Sequence, residues 1–261
     1  MFNRRKHIGL DSGFNSSPLA QRRTSGGVSV FTNIFQDYGF HNMWAADNLL
    51  INGTTTILKD FANEHHLTNP DVPSQPTFNI NGSIGSNGVP SLTFSSTSNV
   101  EKSISGYRPL DAQGEFVIVF KIISGTNINC FALNGAGARN DIFQRNNVSN
   151  QFGMILDALS NPPRTFGYGT SDLLTSNPSI IYSYGARTGG YYMYYNGAIE
   201  NFSIFAVGSD NGACWLNDFT LNQIVIGQSS NVEWVLSGYR PYTNLTDTAN
   251  LQNELKTIIG I

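Results

Sequence analysis

The sequence has 261 residues and a formal net charge of −3, and 13% of its residues are charged while 40% are hydrophobic. This charged fraction is about half the globular average of roughly 25%, which excludes a disordered polyampholyte. No apolar run approaches the roughly 18 residues that a membrane-spanning helix needs, and no apolar secretory core follows the basic start of the chain. We therefore expect a protein without a membrane segment or an export signal.

Positive charge collects at the start of the chain. Residues 1–33 carry five basic side chains and one acidic side chain, a net charge of +4, whereas residues 34–261 carry 10 basic and 17 acidic side chains, a net charge of −7. The basic residues are Arg4, Arg5, Lys6, Arg22 and Arg23. Because this segment lacks apolar periodicity, we predict an extended arm that anchors on a partner subunit or an acidic surface, or that folds back on its own body. Five positive charges are a weak footprint for nucleic acid, which is not predicted as a partner.

Residues 34–261 are predicted to form one β-rich domain, because short apolar stretches alternate with turn clusters from about Asn42 onward. Gly114–Ile123 has the β-branched and aromatic content of a buried central strand. Tyr191–Tyr195 and Ala198–Phe205 flank Asn196-Gly197, which predicts a hairpin with a type I′ turn. Further strands are predicted at Gln151–Asp157, Ser179–Tyr184, Ser203–Val207 and Gln223–Gly227.

One segment near residue 261 has the pattern of a helix. Thr246 is a candidate N-cap, and Asp247 favours the first turn. Four apolar residues fall on one face before Gly260: Leu251, Leu255, Ile258 and Ile259. The sequence therefore predicts an all-β fold, a two-sheet antiparallel jelly-roll sandwich with an extended N-terminal arm and a short C-terminal helix.

The order of several short motifs supports this fold. Trp44–Asp47, Leu58–Asn63, Gln75–Phe78 and Asn87–Phe94 follow one another as in concanavalin A-like jelly-roll domains of the laminin-G-like type, which residues 42–261 resemble. The sequence departs from that pattern in the aspartate loop, where Phe61-Ala62 stands in place of Ser-Gly. Domains of this type occur in bacteriophage virion proteins and in secreted bacterial proteins, so the resemblance implies a display or binding role.

The sequence lacks familiar catalytic patterns. Jelly-roll glucanases carry paired carboxylates on one strand, but Glu101, Glu115, Glu200 and Glu233 each stand alone. The glycine-rich segment Gly82–Gly88 precedes a strand, which indicates a turn rather than a phosphate-binding loop. We therefore predict that the chain is not an enzyme.

No cofactor is predicted, although two oxygen-rich segments offer an alternative. Asp210–Gly212 and Asn140-Asp141 could bind calcium or simply form turns, and Glu64–His66 is interpreted as a solvated loop rather than a metal site. Cys130 and Cys214 are interpreted as buried thiols, and the sequence leaves open whether they pair.

Aromatic and arginine side chains are the candidate contacts for a glycan or a protein partner. A sugar ring needs an apolar face and hydrogen-bonding groups, and the residues that could supply them are Tyr168, Tyr182, Tyr184, Trp215 and Trp234. A repeated Ser-Gly-Tyr-Arg-Pro motif adds Tyr107, Arg108, Tyr239 and Arg240. Both copies of the motif could instead be matching strand ends.

These observations favour a non-enzymatic bacteriophage virion structural protein, namely a capsid decoration, head-fibre or tail-associated protein displayed on the particle. Its expected partners are capsid proteins or neighbouring copies in a homo-oligomer, and its expected location is the virion. The alternative is a carbohydrate-binding adhesin or lectin-like module that recognises glycans.

Overall fold

The computed structural model describes residues 29–107, 114–124, 128–135, 138–145, 152–156, 165–169, 180–187, 190–200, 202–207, 221–228, 231–241 and 244–261. Two helices, α1 (Thr32–Asp37) and α2 (Leu245–Ile259), accompany seventeen strands in these ranges. The strands are β1 (Asn42–Asn52), β2 (Thr55–Asp60), β3 (Leu67–Thr68), β4 (Thr77–Asn79), β5 (Ser91–Phe94), β6 (Val100–Tyr107), β7 (Gly114–Ser124), β8 (Ile128–Gly135), β9 (Ala138–Arg145), β10 (Phe152–Leu156), β11 (Thr165–Gly169), β12 (Ile180–Arg187), β13 (Gly190–Tyr195), β14 (Ala198–Glu200), β15 (Phe202–Val207), β16 (Leu221–Ile226) and β17 (Asn231–Pro241).

The strands form two antiparallel sheets that are joined through β1. In the first sheet, β17 pairs on one side with β7, which continues to β12, β13 and β14. On its other side β17 pairs first with β5 and then with β1, and β4 extends the sheet beyond β5. The second sheet runs β2, β3, β6, β16, β8, β9, β10, β11 and β15. This arrangement confirms the predicted all-β antiparallel sandwich.

The predicted hairpin and central strand are confirmed. Asn196 and Gly197 have φ values of 48° and 86°, as a type I′ turn between β13 and β14 requires. The central strand is β7, whose side chains alternate between two cores, because both faces of the first sheet are covered along much of its length.

The inner core lies between the two sheets and is rich in aromatic rings. Trp44 and Phe116 both contact Phe131, with ring centroids 6.2 and 5.7 Å apart, and Phe94 meets Trp234 edge-on at 6.3 Å. Each fully buried side chain of this size stabilises the fold by roughly 1.5–3 kcal/mol. The inner core therefore holds the two sheets together.

The outer core lies between the first sheet and the helices. Val117 and Val119 of β7 face Leu251, Leu255 and Ile259 of α2, and all five are fully buried. The predicted apolar face of α2 is thus confirmed for its buried members, while Ile258 is only partly buried. None of the described helices is long and apolar enough to span a membrane.

Helix α2 begins two residues earlier in the chain than Thr246 suggested, because Asn244 is its N-cap. The Asn244 side chain accepts a hydrogen bond from the Asp247 backbone N–H at 2.8 Å, so Thr246 lies within the first turn. The helix ends at Gly260, whose φ of 80° is favourable for glycine.

The glycine-rich segment Gly82–Gly88 caps the other end of this helix. The Asn87 side chain donates to the carbonyls of Thr257 and Ile258 at 3.0 Å, and the Ser86 backbone N–H donates to the carbonyl of Gly260 at 3.1 Å. A Cβ at Gly85 would lie only 2.0 Å from the Ile259 carbonyl oxygen. The segment is therefore a turn, as predicted, and its glycine permits close approach to the helix end.

The first described residues, which precede the predicted boundary at residue 33, pack against the body of the chain. Phe31 is fully buried in the outer core, and the Ser29 hydroxyl donates to both carboxylate oxygens of Asp47 at 2.8 and 2.9 Å. Residues 29–33 therefore contact the folded body, as in the alternative in which the arm folds back on it, and α1 is a short helix that was not predicted from the sequence. The arm residues Arg4, Arg5, Lys6, Arg22 and Arg23 lie outside the described residues.

Candidate ligand-binding face

The outer face of the first sheet has a covered half and an open half. The covered half lies under α1 and α2 and contains the outer core. The open half carries polar residues of β4, β5, β7 and β17, which we call the polar strip: Thr77, Asn79, Ser91, Thr93, Lys121 and Glu233.

Strand register aligns the polar strip across four strands. Thr77 is opposite Thr93, Thr93 is opposite Glu233, and Glu233 is opposite Lys121. Directly opposed residues of antiparallel strands have Cβ atoms roughly 4.5–5.5 Å apart, so these side chains form one continuous row. The alternation in Thr77-Phe78-Asn79 and in Ser91-Leu92-Thr93 is the sequence signal that could have identified this row.

Glu233 is the centre of the hydrogen bonding in the strip. One carboxylate oxygen accepts from the Ser83 backbone N–H and the Ser91 hydroxyl, both at 2.6 Å, and the other accepts from the Ser83 hydroxyl. Lys121 donates to the same Ser83 hydroxyl at 2.9 Å. Burial alone would raise the pKa of Glu233, but these hydrogen bonds and the Lys121 charge outweigh burial and lower the pKa below its ordinary value. The strip therefore contains an ionised carboxylate, which is itself only 5% exposed, beside the half-buried ammonium group of Lys121.

Hydrogen-bonding side chains around Glu233 are partly exposed to solvent. Asn79 donates to the hydroxyls of Ser91 at 3.2 Å and Thr93 at 2.9 Å, and both Asn79 and Thr93 are half-buried. Thr77 is exposed, and Ile123, two residues beyond Lys121 on the same strand face, is 53% exposed. The open half thus combines hydroxyl, amide and charged groups with an aliphatic side chain.

The covered half holds an ion pair instead. Arg240 donates through Nε and Nη2 to one carboxylate oxygen of Glu115 at 3.2 and 2.8 Å, and both side chains are fully buried. Arg240 also pairs with Asp247 of α2, and the Thr248 hydroxyl donates to Glu115 at 3.0 Å. Burial raises the pKa of Glu115 to about 7, although the Arg240 charge and the Thr248 hydrogen bond oppose this rise. The guanidinium also lies over the Tyr38 ring, whose centroid is 5.5 Å from Cζ.

These positions correct several predicted contact residues. Tyr182, Trp234 and Tyr239 belong to the inner core, and Arg240 is the buried partner of Glu115. Their burial removes them from any ligand at the surface of the chain. The second copy of the repeated motif, Ser237–Pro241, is the C-terminal end of β17, as the strand-end alternative predicts.

The side chains of the other predicted contact residues lie outside the described part of the structure. Tyr107, Tyr168 and Tyr184 are in β6, β11 and β12, where the description covers their backbone alone, and Arg108 and Trp215 fall outside the described residues. Their predicted roles stay predictions.

Of the predicted metal and thiol sites, only some residues lie within the described part of the structure. Asp210–Gly212 and Cys214 fall outside the described residues, whereas Asn140-Asp141 lies in β9. Within the described ranges, no group of three or more His, Cys, Asp or Glu residues is arranged to hold a metal ion. Cys130 is a buried thiol, and burial raises its pKa.

The aspartate loop that differs from the laminin-G-like pattern is nevertheless well ordered by hydrogen bonds. The buried Asp60 carboxylate accepts from the backbone N–H groups of Met43 and Ala62 at 3.1 Å and of His65 at 3.0 Å. Asn63 adopts a φ of 64°, a conformation that asparagine tolerates better than most residues. Asp60 is thus a structural residue, because its oxygens face the loop.

Comparisons with known proteins show similarity at the level of the fold. No protein-family model matches the sequence, and neither does any curated protein. A GH54 α-L-arabinofuranosidase is similar over 78% of this chain and 52% of its own, with 16% identity and a TM-score of 0.48. A Trypanosoma rangeli sialidase is similar over 85% and 33%, with 11% identity and a TM-score of 0.47.

The ligand-binding domain of botulinum neurotoxin serotype D, solved with N-acetylneuraminic acid, is similar over 84% of this chain and 51% of its own, with 11% identity and a TM-score of 0.47. The chain therefore spans about a third to a half of the length of these three proteins. All three are glycan-binding or glycoside-processing proteins, and none is a bacteriophage structural protein.

The prediction that the chain is not an enzyme is contradicted by these comparisons. Two of the three proteins with a similar fold are glycosidases, so the lack of a familiar carboxylate motif does not exclude an enzyme. At 11–16% identity the similarity concerns the fold alone and assigns no activity.

Proposed function

We propose that this protein is a glycan-binding domain and that the polar strip is its contact surface. The observation that carries this proposal is the open half of the first sheet, where exposed Thr77 and half-buried Asn79, Thr93 and Lys121 border the buried carboxylate of Glu233. The other half of the same face is closed by two helices.

The chemistry of the strip suits a sugar. Sugar hydroxyls both donate and accept hydrogen bonds, and the strip supplies an ammonium donor at Lys121, an amide at Asn79 and hydroxyls at Thr77 and Thr93. The aliphatic Ile123 side chain lies at one end, where it can contact the apolar face of a sugar ring. Glu233 is held in one position by Ser83 and Ser91, so little side-chain entropy is lost when a ligand binds.

The experiment is a glycan-array screen of the intact chain, followed by calorimetry with the best-bound oligosaccharide. Lys121→Met and Thr93→Val each remove a hydrogen-bonding group from the strip while keeping a side chain of similar size. We expect Lys121→Met to weaken binding about tenfold or more, because a hydrogen bond to a charged group contributes roughly 1.5–3 kcal/mol.

Lys59→Met is the matched control, because Lys59 is an exposed lysine on β2 of the second sheet. This variant should bind the oligosaccharide as the parent does. Binding that is equally insensitive to Lys121→Met and Thr93→Val would contradict the strip as the contact surface, and a screen without any bound glycan would contradict the function itself.

The virion interpretation remains a separate prediction. A bacteriophage structural protein anchored by residues 1–33, with capsid proteins or further copies of itself as partners, would use the arm that lies outside the described residues. A glycan-binding domain is compatible with display on a particle, so the two hypotheses are tested independently.

A further inference from the structure

Three polar side chains are buried between α2 and the first sheet with atoms that lack a partner. Within the described residues, Glu115 Oε1, Ser183 Oγ and both carboxamide atoms of Gln252 have no hydrogen-bond partner, although each residue is fully buried. Leaving such atoms unpaired is costly, and buried polar groups in folded proteins are usually bonded to protein or to ordered water.

Strand register and helix spacing place these three residues on the facing surfaces of the first sheet and α2. Glu115 is opposite Gly185 on β12, and Ser183 follows two residues away on the same strand. On the helix, Thr248 donates to Glu115 at 3.0 Å, and Gln252, which is also buried, lies four residues or about one turn further on. Two strand residues span roughly 6.6 Å and one helical turn about 5.4 Å, so the step from Thr248 to Gln252 is comparable in length to the step from the Glu115 row to Ser183.

This polar layer differs from the rest of the interface. One further turn along α2, Leu255 meets an apolar surface that includes Ile181 of β12. A separation of about 5.5 Å between two polar atoms is the distance that one water molecule bridges with two hydrogen bonds of roughly 2.8 Å.

We propose that ordered water is bound between α2 and the first sheet by Glu115 Oε1, Ser183 Oγ and the carboxamide of Gln252. These groups offer a carboxylate acceptor, a hydroxyl, an amide acceptor and an amide donor, which together suit the two to four hydrogen bonds of a buried water. A metal ion is a poorer occupant, because the Gln252 amide donates and the Arg240 guanidinium already pairs with Glu115. Helix α2 is therefore hydrated near its N-terminal half and dry near its C-terminal half.

A high-resolution crystal structure of the intact chain tests the proposal directly. We expect density for at least one water within hydrogen-bond distance of Gln252 and of Ser183 or Glu115. A direct hydrogen bond from Gln252 to either residue, with no water between them, would overturn the proposal, as would a dry cavity.

Matched variants give a second test in solution. If water connects the layer, Gln252→Met breaks the network and should lower the thermal midpoint by roughly 2–6 °C, because the remaining polar groups lose a partner. The double variant Gln252→Met/Ser183→Ala should recover part of this loss, since both polar ends are then removed. Asn253→Met is the control at the adjacent exposed position and should leave the midpoint unchanged. An unchanged or raised midpoint for Gln252→Met would show that the amide is not hydrated.

Discussion

Glu115 and Glu233 lie on the same face of the same sheet, yet their environments act on their charge in opposite directions. Glu233 is in the open half, where three protein hydrogen bonds and Lys121 lower its pKa. Glu115 is under α2, where burial raises its pKa to about 7 in spite of a direct ion pair with Arg240.

Hydrogen-bond donors, rather than burial alone, therefore decide whether a carboxylate of this sheet stays ionised. In Glu233 both oxygens accept hydrogen bonds, whereas in Glu115 the Arg240 and Thr248 donors converge on a single oxygen. Asp247 also competes for the charge of Arg240, since it pairs with the same guanidinium. The covered half therefore contains two carboxylates that share one cation.

The largest expected effect comes from removing that cation. Arg240→Met should reduce the free energy of unfolding by about 3–5 kcal/mol, because Glu115 and Asp247 both lose the guanidinium that they share. Urea denaturation followed by tryptophan fluorescence measures the loss, and Lys59→Met serves as the control for removing an exposed positive charge. A loss below about 1 kcal/mol would mean that the ion pair contributes little to the covered half.

The apolar part of the same half is tested by Leu255→Ala. Leu255 is fully buried on the sheet-facing side of α2. The substitution should lower the free energy of unfolding by about 2–5 kcal/mol, because it removes buried methyl groups and leaves a cavity. Ile199→Ala removes methyl groups from a side chain that is 61% exposed and should change the stability by less than about 0.5 kcal/mol. Equal effects of the two substitutions would show that α2 is not part of the core.

The third prediction concerns the pH dependence of stability, which follows from the raised pKa of Glu115. A folded pKa of about 7 against an ordinary value of 4.5 means that the folded state binds the proton more tightly, so stability should fall as pH rises from about 4.5 to 7. The expected fall is on the order of 3 kcal/mol, and Glu115→Gln should abolish it. The measurement is the difference between the two proteins across this window, because the lowered pKa of His65 gives both of them a slope of opposite sign. Parallel curves for parent and variant would refute the assignment.

Glu233→Gln should have the smallest effect and the opposite pH dependence. The lowered pKa of Glu233 stabilises the fold above its ordinary pKa, and this contribution is lost as pH falls through the folded value. At neutral pH the variant should lose about 1–2 kcal/mol, because a neutral amide replaces a carboxylate that accepts three hydrogen bonds. Unfolding measured at pH 7 and again near pH 3 should show the difference shrinking in acid.

Local sequence patterns were sufficient for much of the fold. The apolar run in β7, the Asn196-Gly197 turn and the apolar face of α2 depend on neighbouring residues and were predicted correctly. The N-cap was misplaced because Asn244 and Thr246 are both good capping residues, and only the backbone direction decides between them.

Contacts between residues that are distant in the sequence could not be predicted from local patterns. Arg240 was predicted to be a surface contact residue because arginine is usually exposed. Its buried ion-pair partner, Glu115, is 125 positions away in the sequence, so local pattern does not reveal the pair. The sequence predicts Trp234 and Tyr182 as sugar contacts, but both are buried, because an aromatic side chain serves a core and a binding surface equally well. The polar strip was missed because its residues come from four strands that only the sheet brings together.

The position of β17 has a consequence for how the chain folds. This strand lies between β7 and the pair formed by β1 and β5, yet it is contributed by residues 231–241. The first sheet therefore cannot close until nearly all of the preceding chain has been synthesised. Joining residue 44 to residue 237 also closes a very long loop, and topologies with many such non-local pairings fold slowly. Until β17 is inserted, β1, β5 and β7 expose unpaired edges, so this interval is when the growing chain is most vulnerable to aggregation.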